Sequence, residues 1–237
     1  MKNIAIVVTL LVTLSSCYKR GYIQLNSLDN EQIASNAIKT FLAKNSSPSI
    51  VLKAPKSGRK STTSDRNTYI YNAIEKELLV AGFNVKDRGL FNAVMEKSKE
   101  VNYKDIKELT NTDLLLELVQ VSRKVKFKTN KVQTKKGEEK VLKNSDFTLY
   151  GAVIEFKLTI IETNQFAGSY TFYWSPCTNL DYSCDCEVVY NLTATKTYPH
   201  LSFCGEDKNN TGYEYVSESH MASIARDGVK RMIAEMK

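Results

Sequence analysis

Apolar residues recur along this chain with two different periods, and the period that holds in each stretch predicts the element formed there. Over residues 67–96 the helical period comes first. Ile70, Ala73, Ile74, Leu78 and Ala81 fall at three- and four-residue spacing, the stripe of an amphipathic helix. Gly82 follows the last of them and suits the left-handed residue that commonly ends a helix. Phe83-Asn84-Val85-Lys86 then alternates as a strand does. Asp87 is placed to cap a second helix carrying Leu90, Phe91, Val94 and Met95. A helix, a strand and a helix cannot bury their own faces, so this unit requires a sheet.

Segments with the two-residue period supply one. Around residues 113–121, Leu114, Leu116 and Leu118 share one face, and Leu115, Val119 and Val121 share the other, the pattern of a central strand covered on both sides. It runs on as Lys124-Val125-Lys126-Phe127-Lys128, whose strict alternation puts one face in water. Residues 131–140 form the tip of this excursion, and Phe147 and Leu149 lead back into a strand over 152–162. The turn Thr163-Asn164-Gln165 and the alternating Phe166, Gly168, Tyr170, Phe172 and Trp174 complete a hairpin. A first helix capped by Ser27 or Asp29 is expected to carry Ile33, Ala37, Phe41 and Leu42 on one face. Ile50-Val51-Leu52 reads as a buried strand, 55–65 as a surface loop, 103–109 as a short helix and 187–198 as a further strand. A closing helix over 216–236 turns Met221, Ile224, Ala225, Val229 and Met232 inward.

The first seventeen residues predict a compartment. Lys2 precedes an apolar run over 4–14, too short for a permanent membrane span, and the run ends in Leu14-Ser15-Ser16-Cys17. That tetrapeptide resembles the bacterial lipobox, which implies a signal peptide over 1–16, lipidation of Cys17, palmitate among its acyl chains, and a tether over 17–27. Tyr18-Lys19-Arg20 follows without an acidic signal, so the periplasmic leaflet of an outer membrane is the expected location. Charge is concentrated in one place: residues 123–143 hold nine Lys or Arg against Glu138 and Glu139, a local balance of +7 in a chain whose total is +7. Such a run either keeps a hairpin soluble and discourages edge pairing, or meets an anionic surface through Lys124, Lys126, Lys128, Lys135 and Lys136. Nucleic acid is not expected as a partner outside the cytoplasm.

The order of these elements, together with Ala81-Gly82-Phe83-Asn84-Val85-Lys86-Asp87-Arg88, Thr112-Asp113-Leu114-Leu115 and the turn after Glu162, resembles the CsgG and LpoB-like envelope lipoproteins and domains like the N-terminal part of TolB. The resemblance spans roughly 50–167 and the last helix. It implies an outer-membrane lipoprotein that acts by binding, as an envelope assembly or accessory factor with protein partners, and forms a homo-oligomer. A curli-secretion type pore subunit is the alternative, although Val125, Phe127 and Thr129 offer only a short row for a lipid-facing strand, which needs about 9–11 residues. The basic run and the cysteine-rich stretch depart from the family pattern. The expected fold is α/β (α+β): a single domain over 28–237, with a mixed, largely antiparallel sheet flanked by helices, a basic hairpin at 123–150 and a Cys-rich insertion at 175–213.

Four cysteines remain beyond Cys17: Cys177, Cys184, Cys186 and Cys204. In an oxidising compartment an even number implies two disulfides. A bond between Cys184 and Cys186 is sterically poor, so each is expected to pair with Cys177 or Cys204. A four-thiolate zinc site is the alternative, without the usual Cys-x₂-Cys spacing. No metal or cofactor is expected. The two histidines, His200 and His220, lie near no Gly-x-Ser-x-Gly pattern, and Lys56-Ser57-Gly58-Arg59-Lys60 lacks the spacing of a phosphate loop, so catalysis is not expected. Asp87 and Arg88 read as a helix cap and a brace at the sheet edge. Tyr170, Phe172, Tyr173 and Trp174 read either as an aromatic binding face or as core on one side of a half-exposed strand.

Overall fold

Two strands far apart in sequence, β3 (Ser49–Lys53) and β5 (Leu114–Thr129), lie side by side and parallel, with Ile50 opposite Leu114 and Lys53 opposite Glu117. This pairing is the centre of a computed structural model that describes residues 19–53, 67–97, 103–143, 147–177, 186–190 and 216–237. The chain divides into two compact units. One comprises Leu28–Val125, Ala152–Trp174 and Val216–Lys237, and the other draws on Met1–Ser27, Lys126–Gly151 and Ser175–Tyr215.

The first unit carries a six-stranded sheet in the order β2-β9-β8-β5-β3-β4. β4 (Asn84–Val85) extends the parallel pairing from β3. β8 (Phe147–Ile160) and β9 (Gln165–Trp174) form the expected antiparallel hairpin, with a bulge between Leu158 and Thr159, and β2 (Glu31–Ala34) adds antiparallel to β9. One face of the sheet is buried by α2 (Thr68–Val80) and α5 (Glu218–Met236), which also pack on each other. Ile50, Leu52, Leu114, Leu116, Leu118, Ile154, Phe156, Leu158, Tyr170 and Phe172 meet Ile70, Ile74 and Leu78 of α2 and Met221, Ile224, Val229 and Met232 of α5 in one core. At Gly228 an added Cβ would lie 3.1 Å from Phe172 and 3.3 Å from Phe156, so the glycine lets α5 close on that edge-to-face aromatic pair. A smaller cluster joins Val51 and Leu115 to Ile161 and to Phe91 of α3 (Arg88–Lys97). Strands that send alternate residues into separate clusters are apolar on both faces, which is why they read as central in the sequence.

The second unit is a four-stranded sheet in the order β10-β1-β6-β7, all antiparallel. β1 (Lys19–Ile23) lies between β10 (Glu187–Tyr190) and β6 (Lys131–Thr134), and β7 (Glu139–Val141) follows β6 across a tight turn in which Gly137 takes φ +84°. Ile23, Val132, Leu142, Phe147 and Val188 form its core.

The fold is thus mixed α and β with antiparallel pairing predominant, as expected, but the strands are shared between two sheets rather than one. Two further expectations are corrected. Residues 19–23 of the expected tether form a strand, because β6 and β10 supply ladder partners on both sides. The first helix, α1 (Asn36–Lys44), begins later than expected. Its cap is Ser35, whose Oγ accepts from Ile38 N at 3.4 Å, and the preceding residues pair with β9 instead. Ile33 is therefore a strand residue, 49% exposed, and Ile38 takes the buried helical position. The remaining helix, α4 (Tyr103–Thr110), sits where a short helix was expected. The strand expected over 187–198 is seen as β10, and its remainder lies outside the described residues, as does the whole loop at 55–65.

A carboxylate fixes the register of the parallel pair. Asp113 Oδ2 accepts from Ser49 N at 2.8 Å and from Ser49 Oγ at 2.6 Å, Asp113 N returns a bond to Ser49 O at 3.1 Å, and Lys107 Nζ donates to Asp113 Oδ1. Burial raises the pKa of Asp113, but the bonds from Lys107 and Ser49 together outweigh it and leave the carboxyl below its ordinary value. Replacing Asp113 with alanine should cost about 2–3 kcal/mol in denaturant unfolding, because it leaves the Ser49 amide without its acceptor and Lys107 without its partner, while Ser49 Oγ keeps the Asn111 carbonyl at 3.0 Å. A carboxylate held low contributes stability above its unfolded-state pKa of about 3.9 and loses it as pH falls through the folded value. Wild type and Asp113→Ala should therefore differ at neutral pH and converge in strong acid. Equal unfolding midpoints at pH 7 would contradict that role.

Candidate functional site

The basic run is built by backbone alternation and a turn. In the second half of β5, Lys124, Lys126 and Lys128 are exposed, Phe127 is buried, and Val125 and Thr129 are half-buried. Beyond β6, Lys135 and Lys136 project from an exposed turn closed by Gly137 N to Thr134 O at 2.9 Å and Thr134 N to Glu138 O at 2.8 Å. The hydroxyl of Thr134 also accepts from Lys136 N and Glu138 N, at 3.3 Å and 3.2 Å. Neither glutamate of the run neutralises that turn. Glu139 pairs with Lys131 at 3.0 Å and Glu138 with Lys140 at 3.2 Å. Lys126, Lys128, Lys135 and Lys136 form no ion pair with another described residue.

Arg123 does not belong to this surface. Its Nε donates to Val216 O at 2.6 Å, its guanidinium lies 3.8 Å from Glu218, and Val216 N bonds Arg123 O at 3.0 Å. It ties β5 to the start of α5. No local pattern could have shown this, because the partners are 93 residues apart.

The cysteines are placed in part. Cys177 and Cys186 are joined by a disulfide, their Cα atoms 5.6 Å apart, which links the segment after β9 to the start of β10. Cys177 packs against the core of the second unit, and Cys186 is fully buried. This is one of the pairings the spacing allowed, and it removes two of the four sulfurs from the zinc alternative. Cys17, Cys184, Cys204 and His200 lie outside the described residues.

The other candidates resolve into packing roles. Asp87 caps α3, its Oδ1 accepting from Leu90 N at 2.6 Å. Arg88 does not brace the sheet edge. It lies over the Tyr71 ring at 4.4 Å and 3.7 Å from Glu75, so it fastens α3 to α2. Tyr170 and Phe172 are core, and burial pushes the Tyr170 hydroxyl up to about 12. Tyr173 and Trp174 are half-buried, and Trp174 stacks on His220 at 6.0 Å. His220 Nδ1 lies 2.9 Å from Ser217 Oγ, but that hydroxyl serves as the helix cap, accepting from His220 N at 3.3 Å. No carboxylate orients the imidazole among the described residues, so the pair lacks the third member of a nucleophilic triad. A cleft of about 300 Å³ is lined by Leu42, Pro48, Ala81 and Phe83 with Lys39 and Lys237. No group of three or more metal-ligating side chains occurs among the described residues.

No family model matches the chain, and no curated protein matches it. Solved structures with some likeness include the PelC dodecamer from Paraburkholderia phytofirmans, with 11% identity, 88% of this chain and 96% of that chain covered, and a TM-score of 0.36. A point variant of the same dodecamer gives 11%, 89%, 99% and 0.39. The hypothetical protein CT253 from Chlamydia trachomatis gives 7%, 79%, 94% and 0.33.

The disulfide can be checked directly. Non-reducing proteolysis with mass spectrometry should recover a peptide linking Cys177 to Cys186. Replacing both with serine should lower stability by about 2–3 kcal/mol, the chain-entropy value for a loop this short. Recovery of either cysteine as a free thiol from unreduced protein would contradict the assignment.

Proposed function

We propose that this chain is a lipid-anchored protein of the periplasmic face of an outer membrane, and that it acts by binding, as an envelope assembly or accessory factor. The observation that supports the reading best is the set of exposed lysines on the second unit, whose nearby acids are already taken up by other lysines. Exposed lysines that form no ion pair with another described residue have anions as their natural partners. The lipobox-like Leu14-Ser15-Ser16-Cys17 supports the anchor. No helix of the described residues is long and apolar enough to cross a membrane. Kinship with the CsgG and LpoB-like lipoproteins, protein partners in the envelope and homo-oligomer formation belong to the same proposal, and rest on the sequence resemblance.

The anchor decides the proposal. Wild-type protein should fractionate with the outer membrane and incorporate palmitate in metabolic labelling. Cys17→Ser should lose both the label and outer-membrane fractionation. A wild type that is recovered soluble and unlabelled would overturn the reading.

A further inference from the structure

The sheet of the second unit brings the start of β1 and part of the basic run to the same end. β1 pairs antiparallel with β6, with Ile23 opposite Val132 and Gly21 opposite Thr134. The start of β1 therefore lies at the end of β6 where the Lys135–Lys136 turn projects. Lys19 and Arg20, both exposed, precede Gly21, and Lys135 and Lys136 follow its partner Thr134, so residues more than a hundred positions apart share one end of the sheet. The acid of that turn, Glu138, is engaged by Lys140. The other lysines of the run lie elsewhere. Lys131 opposes Val141 at the far end of β6, so Lys143, two residues beyond Val141, and Lys128, three before Lys131, both belong to that far end. Four residues of strand, about 13 Å, separate Lys131 from Lys135.

We infer that Lys19, Arg20, Lys135 and Lys136 form a membrane-contacting cluster that binds the phosphates of anionic phospholipids, while Lys128 and Lys143 face away from the bilayer. The inference rests on the lipid-anchor reading above. Acyl chains on Cys17 would hold that residue at headgroup depth, and two residues of chain span at most about 7 Å. Lys19 is then held within reach of lipid phosphates whatever else the protein binds, and the register carries Lys135 and Lys136 with it. One lipidated site joined to a basic patch is the two-signal arrangement that gives durable attachment, and its electrostatic half fades over a Debye length.

The test uses the mature lipidated protein, reconstituted either in phosphatidylcholine vesicles or in phosphatidylcholine vesicles containing phosphatidylglycerol. Each lysine is acetylated with a membrane-impermeant reagent and read by mass spectrometry. On the anionic vesicles, Lys135 and Lys136 should react at least about fivefold more slowly than on the neutral ones. Added salt should abolish the difference, and Lys128 and Lys143 should react equally on both. Equal rates at Lys135 and Lys136, or protection that falls on Lys128 and Lys143, would overturn the inference. Failure to float with either vesicle removes the anchor and the inference together, whereas flotation with equal rates removes the inference alone.

Discussion

The larger unit depends on the parallel pairing of β3 with β5. Parallel strands require a long crossover, and here α2, β4, α3 and α4 all intervene. Nothing local can set the register, yet a slip of one residue would send Ile50, Leu52, Leu114, Leu116 and Leu118 to the wrong face of the sheet. Asp113 meets that requirement at one end by gripping both donors of Ser49. Lys53 meets it at the other, 2.8 Å from Glu117, the residue directly opposite. With the register held, one face receives α2 and α5 and the other receives Phe91, so the remaining elements dock onto a sheet whose alternation is already determined.

The same contrast between local and distant causes explains which parts could be read in the sequence. α2, the Gly82 turn, the cap at Asp87, the β8–β9 hairpin and α5 each carry their signal within a few residues. Gly82 has φ +93°, and all five positions expected to face inward on α5 are buried or nearly so. β1 and β2 carried no such signal. Arg20-Gly21-Tyr22-Ile23 is too short and polar to alternate visibly, and Glu31–Ala34 runs into a stripe that also fits a helix, so distant ladders decided both. Of the candidate site, the exposed lysines were legible because strict alternation encodes exposure. The removal of Arg123 to a structural tie was not legible, because its partner Val216 lies 93 residues away.

The short strands of the second unit change what its lysines do for the fold. β7 is an edge of three residues, Glu139–Val141, and an exposed edge invites pairing with another chain. Lys140 in its middle and Lys135 and Lys136 at its turn discourage that. Protection of an edge and contact with anions draw on the same property, charge that remains in water, so one sequence feature can satisfy both without compromise.

The placement of β1 also has a mechanical consequence. A strand at the margin of a sheet can be peeled away one hydrogen bond at a time when its end is pulled. β1 is flanked on both sides, by β10 and by β6, and its core residue Ile23 is buried. Tension entering through the residues before Lys19 along the strand would act on both ladders in shear, loading their bonds together. The Cys177–Cys186 bond fastens one of those flanking strands covalently. The grip on the N-terminal end of the chain is thus set by how fast the whole sheet yields under force, a rate rather than an equilibrium.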